Sequence, residues 1–222
     1  MLLGVRLVFT EGGYRGNPVN LYLFDFDKTL YAYDNRFRLP ALALAAHTSQ
    51  YQLAKRWWAA GYELRAEAGE WPTADEYLDE FARVTQSHRM TLDEWAEGRR
   101  LASTPTPGVL RALARAKSHG TVSLLSNNPS VFEAALPLFA PDAVELLGSN
   151  VLVSAALGVR KPDARIFDLA LARFDAEPAN TFFVDDVLEN VTGARALGIH
   201  AHHYTTVPLL DEAMAAFERR NG

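Results

Sequence analysis

The chain of 222 residues contains no cysteine, which excludes disulfide frameworks, thiolate metal sites and cysteine nucleophiles together. It also lacks a surplus of positive charge. The formal net charge is −5, so no basic groove for a nucleic-acid backbone is expected. No uninterrupted apolar stretch reaches the roughly 20 residues that a membrane-spanning helix requires. The opening MLLGVRLVFT is broken by Arg6 and carries no small-residue cleavage pattern, so a secretory leader is not expected and a cytoplasmic protein is. No internal repeat or low-complexity tract is present. The early glycines Gly12, Gly13 and Gly16 lack the spacing of a phosphate loop. They read as turns after a Leu2–Thr10 edge strand.

What is present is a core. Hydrophobic residues make up 49% and charged residues 22%, the balance of a packed domain rather than a disordered chain. The apolar runs Leu21–Phe24, Thr121–Leu125, Thr181–Val184 and Ile199–Tyr204, with Val151–Val153 as a weaker one, have the length of strands buried on both faces. Helical patterns separate them. Thr106-Pro107 opens one helix and Gly120 reads as its stop; Pro162 opens another over 163–174; a third, over 189–197, ends at Gly198. Alternation of this kind implies an α/β fold, a doubly wound Rossmann-like parallel sheet.

One connection is too long for that plan. Roughly ninety residues separate Asp27 from Thr121, where a crossover needs about a dozen. Residues 34–101 therefore read as an all-helical insertion, a cap on a core formed by 1–33 and 102–222. Thr73-Ala-Asp-Glu76 and Thr91-Leu-Asp-Glu94 match the capping box that starts a helix. Most aromatics of this segment are expected in its own core, with a minority facing a cleft. Arg36, Arg38, Arg56 and Arg65 are expected to be solvated.

Ligands of open parallel sheets bind beyond the carboxyl ends of the strands. There the chain places Asp25-Phe-Asp27-Lys-Thr29, Ser126-Asn127 and Asp185-Asp186, with Lys161 ahead of a helix that begins on the same side. Each is ordinary alone: an acidic pair caps turns, and a lysine is a surface residue. Together they bring three carboxylates close, which a divalent cation and Lys161 would neutralise. Oxygen ligands without cysteine favour magnesium, and a phosphate could then enter without net repulsion.

In this order the segments DFDKT, LLSNN, RKPDARIF and FFVDDVLENVTGARALGI resemble the four motifs of the haloacid dehalogenase superfamily, in the branch with a helical cap after the first strand. The resemblance covers about residues 21–33 and 102–204. It implies a magnesium-dependent phosphatase that passes a phosphoryl group through Asp25. Asp27 would protonate the leaving oxygen and activate water, and Thr29 would support the loop by hydrogen bonding. Ser126 and Asn127 would bind phosphate, and Lys161 would neutralise nucleophile and phosphate. Asp25, the Asp27 carbonyl and Asp186 would hold the metal, with Asp185 in support. Lys28 stands where many relatives carry glycine. Asp27 favours phosphate esters over halides, which leave without a proton. The implied partner is a small-molecule phosphate ester, with nucleoside monophosphates and sugar phosphates as expected classes, and neither nucleic acid nor membrane. The alternatives are a phosphomutase or dehalogenase on the same fold, or an inactive regulatory protein. His202 and His203, adjacent on the last strand, point to opposite faces and are expected to pack rather than share a metal.

Overall fold

The computed structural model describes residues 20–221, so the expected edge strand and turns before Asn20 lie outside the described residues. In chain order the elements are β1 (Asn20–Phe24), β2 (Tyr31–Tyr33), α1 (Asn35–Ala45), α2 (Gln50–Leu53), α3 (Tyr62–Glu67), α4 (Ala74–Thr85), α5 (Leu92–Ala102) and β3 (Ser103–Pro105). Then follow α6 (Pro107–Lys117), β4 (Gly120–Ser126), α7 (Ser130–Phe139), α8 (Pro141–Leu147), β5 (Val151–Val153) and α9 (Ser154–Leu157). The chain closes with α10 (Ala164–Arg173), β6 (Thr181–Asp185), α11 (Leu188–Ala196), β7 (His200–His203) and α12 (Val207–Asn221).

Five strands form one parallel sheet in the order β5-β4-β1-β6-β7. The order reverses at β1, which places the carboxyl end of that strand at the switch point where ligands of such sheets bind. Side chains alternate along β1 with period two. Tyr22 and Phe24 join one apolar layer with α6, α7, α8 and α12, through Leu113, Phe132, Ala143 and Phe217. Leu21 and Leu23 join the other with α10 and α11, through Ile166, Phe167 and Ala194. Helices cover both faces, and the sheet is doubly wound.

Every helix from α1 to α5 lies between β2 and β3, which pair antiparallel as a small two-stranded base for the insertion. These two strands flank the insertion and were not named from the sequence, each being only three residues long. Both capping boxes form, Thr73 with Glu76 and Thr91 with Glu94. No helix among the described residues is long and apolar enough to cross a membrane.

Gly120 has a different role from the expected one. The helix ends at Lys117 with Ser118 as its cap, and Gly120 is the first residue of β4, opposite Asn20 of β1. A Cβ there would stand 2.1 Å from the Asn20 carbonyl oxygen, so close strand approach, not helix termination, requires the glycine. Gly198, with φ of 85°, does have the left-handed backbone of a helix stop.

Candidate active site

β1 ends at Phe24, and Asp25 follows directly in the mouth of the sheet, its main-chain N–H bonded to the Val184 carbonyl at 3.0 Å. The chain then turns tightly: Lys28 N–H donates to Tyr31 O at 2.6 Å, and Tyr31 N–H to Phe26 O at 3.0 Å. Lys28 has φ of 60°, a left-handed conformation that explains why glycine suits this position. The turn brings Asp25 and Asp27 to one cleft of about 500 Å³, also lined by Ser126, Lys161, Asp185 and Asp186. Residues far apart in sequence thus meet at one edge of the sheet.

Lys161 is buried at the centre. Its ammonium donates to Asp25 Oδ1 at 2.7 Å, Asp185 Oδ2 at 2.6 Å and the Leu125 carbonyl at 2.6 Å, which uses all three of its protons. Burial opposes its charge, but Asp25 and Asp185 more than offset that and raise its pKa. Asp25 Oδ1 accepts a second bond from the Ser126 hydroxyl at 3.1 Å. Its carboxyl is pushed up to about 7 by burial; Lys161 opposes that rise, and Asp185 adds to it. A carboxylate so crowded calls for more positive charge than one lysine supplies.

Asp185 is fully buried and saturated. Beyond Lys161 it accepts from Val187 N–H at 2.7 Å and from the Asn190 amide at 3.1 and 3.0 Å, so it orients the lysine. Asp186 is half-exposed and makes no ion pair among the described residues. Burial and the Asp185 charge raise its pKa. Asp25, Asp185 and Asp186 each offer an oxygen, all within 4.8 Å of one another, an oxygen-only donor set that fits a hard divalent cation.

Two expected side chains are engaged differently. Asn127 lines the cleft, but its amide is engaged with the Lys161 backbone: its oxygen accepts from Lys161 N–H at 2.9 Å and its nitrogen donates to Lys161 O at 3.0 Å. It clamps the lysine's backbone in place. Thr29 supports the turn with its backbone N–H, to Phe26 O at 3.3 Å, while its buried hydroxyl has no hydrogen-bond partner among the described residues. His203 approaches the Asp186 carbonyl at 2.9 Å, and His202 is half-buried with its Nε2 unpartnered among the described residues.

Sequence reasoning missed several residues of the cleft. Asn128 donates to Ser126 Oγ at 3.0 Å and to Asp27 Oδ2 at 3.3 Å. Arg99 of α5, 1% exposed, donates to Asp27 Oδ1 at 2.6 Å from beneath the rings of Tyr33 and Phe132. Arg38, expected in solvent, is 5% exposed and lines the cleft with Glu63, Glu67 and Trp58. Asn128 closes the quoted LLSNN segment and could have been found there; for Arg99, Arg38, Glu63 and Glu67 the only available signal was their place in the insertion, since helical arginines and glutamates look alike whether they face water or a cleft.

The model of the haloacid dehalogenase-like hydrolase family matches residues 19–198, and the chain belongs to that family. Among curated relatives, it is 28% identical to phosphatase MT3486 of Mycobacterium tuberculosis over 155 residues, covering 68% of this chain and 71% of that protein. It is 42% identical to the sesquiterpene phosphatase astK of Aspergillus oryzae over 59 residues; this is 27% of the chain and spans only 30% of that relative's length. Among solved structures, a family enzyme of Bacteroides thetaiotaomicron superposes with a TM-score of 0.69 at 18% identity, covering 85% of this chain and 94% of that one. At that identity the likeness shows the fold.

Proposed function

We propose that the protein is a magnesium-dependent phosphatase that hydrolyses a small phosphomonoester through an aspartyl-phosphate on Asp25. The observation that carries this reading is the buried Lys161 bonded to both Asp25 and Asp185 beside an acidic triad and a second cleft carboxylate, Asp27. The Bacteroides enzyme of the same fold has been solved with magnesium and inorganic phosphate, which supports the ion and the leaving product.

Asp25 Oδ1 is held by Ser126 and Lys161, so Oδ2 is the oxygen free to attack phosphorus. As the new bond forms, the ester P–O bond breaks and its electron pair leaves with the alcohol oxygen, which takes a proton from Asp27. The Asp27 carboxylate then accepts a proton from water as that water attacks the same phosphorus, releasing phosphate and restoring Asp25. Lys161 and the Ser126 hydroxyl stabilise charge on the phosphoryl oxygens. Asp25, the Asp27 carbonyl and Asp186 would hold the magnesium ion, which when bound supplies positive charge at those oxygens. Residues 34–101 form the cap domain in this reading, and 1–33 with 102–222 the catalytic core.

Asp25→Asn is expected to stay folded and to lose magnesium-dependent phosphate release from phenyl phosphate by at least about 1,000-fold, because the amide cannot act as the covalent catalyst. Release at the wild-type rate would end the assignment. Phosphate retained on the organic product, rather than freed, would mark a mutase instead.

A further inference from the structure

The cap side of the cleft holds two charged groups that the phosphatase chemistry does not use. Arg38 on α1 and Glu63 on α3 both line it, with side chains only 6% and 11% exposed. Arg38 Nη1 donates to the Tyr33 hydroxyl at 3.1 Å, but its Nε and Nη2 have no hydrogen-bond partner among the described residues. Glu63 Oε2 accepts from Trp57 Nε1 at 2.5 Å and Tyr77 Oη at 3.1 Å. The other oxygen, Oε1, faces Arg38 Nη2 across 3.8 Å, beyond hydrogen-bond reach. A guanidinium buried with two nitrogens unsatisfied is costly, and a ligand group that accepts from it would relieve that cost.

The gap specifies the ligand. An aliphatic group would leave both charges stranded. A second anion is disfavoured, because acidic groups lining the cleft already outnumber basic ones six to four. Even a bound divalent cation only brings that balance to zero before the phosphate arrives. A hydroxyl fits: its oxygen can accept from Arg38 and its proton can go to Glu63, at about 2.8 Å from each. Trp58 and Leu64 beside the pair offer apolar surface to the C–H faces of a polyol or sugar.

Resting on the phosphatase reading, we propose that Arg38 and Glu63 form a hydroxyl-reading pair, and that the leaving alcohol is polyhydroxylated, as in a sugar or polyol phosphate. Sites built to bond a hydroxyl reject analogues lacking it by far more than apolar pockets discriminate by shape.

The test compares kcat/KM, with magnesium, on glycerol phosphate against propyl phosphate and on a pentose phosphate against pentyl phosphate. The wild type is expected to favour the hydroxylated member of each pair by more than about 100-fold. Arg38→Met and Glu63→Gln should cut that ratio at least about 10-fold, by losing more on the hydroxylated ester than on the bare one. A wild-type ratio near one overturns the proposal without any variant, so a variant that fails to fold cannot shelter it. Equal losses on both members also overturn it, because they report a structural defect. A nucleoside monophosphate compared with its dideoxy counterpart separates sources of the hydroxyl: a ratio there larger than for the pentose phosphate points to a nucleoside's ribose, and a smaller one to a free sugar or polyol. Hydrolysis of all esters without preference sinks only this inference. Hydrolysis of none, including phenyl phosphate, sinks the phosphatase reading and this one with it.

Discussion

Among single residues, those on strand ends were readable and those on helices were not. Asp25, Ser126, Asp185 and Asp186 each follow or end an apolar run, and β1, β4 and β6 deliver them to one edge. Their residue types stand out because polar groups at the end of a buried strand need a reason. Arg99 had no such mark, being one of two adjacent arginines in a polar helix. Only the fold shows that Arg99 turns inward to Asp27 while Arg100 pairs with the exposed Glu97. Its guanidinium sits 4.9 Å from the Tyr33 and Phe132 ring centroids and fixes the orientation of the carboxylate proposed as acid and base. Arg99 is therefore a positioning residue, and its loss should matter most when the leaving group needs a proton. Arg99→Met is expected to slow hydrolysis of an alkyl phosphate by about 10- to 100-fold while costing acetyl phosphate, a good leaving group, clearly less. A steeper dependence of rate on leaving-group pKa is the readout. An unchanged slope would reduce Arg99 to cap packing.

At the scale of elements, periodicity and caps did most of the work. The two capping boxes formed where threonine and glutamate stood three apart, because each satisfies two helix N–H groups with local atoms alone. The short antiparallel pair β2–β3 was invisible for the opposite reason: its pairing joins residues about seventy positions apart and owes little to local pattern. Gly120 is intermediate. Its presence was plain, but the sequence could not say whether it ended a helix or admitted a neighbouring strand. Because Asn20 O would lie 2.1 Å from an added Cβ, Gly120→Ala must push β1 and β4 apart at the strand that carries Asp25. The expected cost is about 1–3 kcal/mol, seen as a fall of several degrees in Tm. A variant as stable as the wild type would show that the two strands accommodate a side chain there and that close approach does not require the glycine.

Across the whole molecule, the doubly wound parallel sheet and the helical insertion were legible, but the strand order and the unity of the two lobes were not. One apolar cluster runs from Tyr22 and Phe24 on the sheet through Phe26 and Phe132 to Tyr77, Trp57 and Trp95 in the insertion. The Phe26 ring packs edge-on to Phe132 at 5.1 Å, and Trp57 packs edge-on to Tyr77 at 5.3 Å. Polar ties add to it: Arg160, next to Lys161, donates to Glu67 of α3 at 2.6 Å, and Ser130 donates to the Trp71 and Thr73 carbonyls at 2.8 and 2.9 Å. Lobes that share a core unfold together. The chain supplies its own test, since all four tryptophans, Trp57, Trp58, Trp71 and Trp95, lie in the insertion. Their fluorescence reports that lobe alone, whereas far-ultraviolet circular dichroism reports every helix and strand. The two thermal transitions are expected to coincide. Magnesium, whose proposed carboxylate ligands all belong to the core lobe, should move both upward together, by about 2.7 kcal/mol at a hundredfold excess over its Kd. Asp186→Asn should weaken that response in both signals equally. Fluorescence that melts first, and at a temperature indifferent to magnesium, would mean that the insertion folds on its own and that the shared cluster does not couple the lobes.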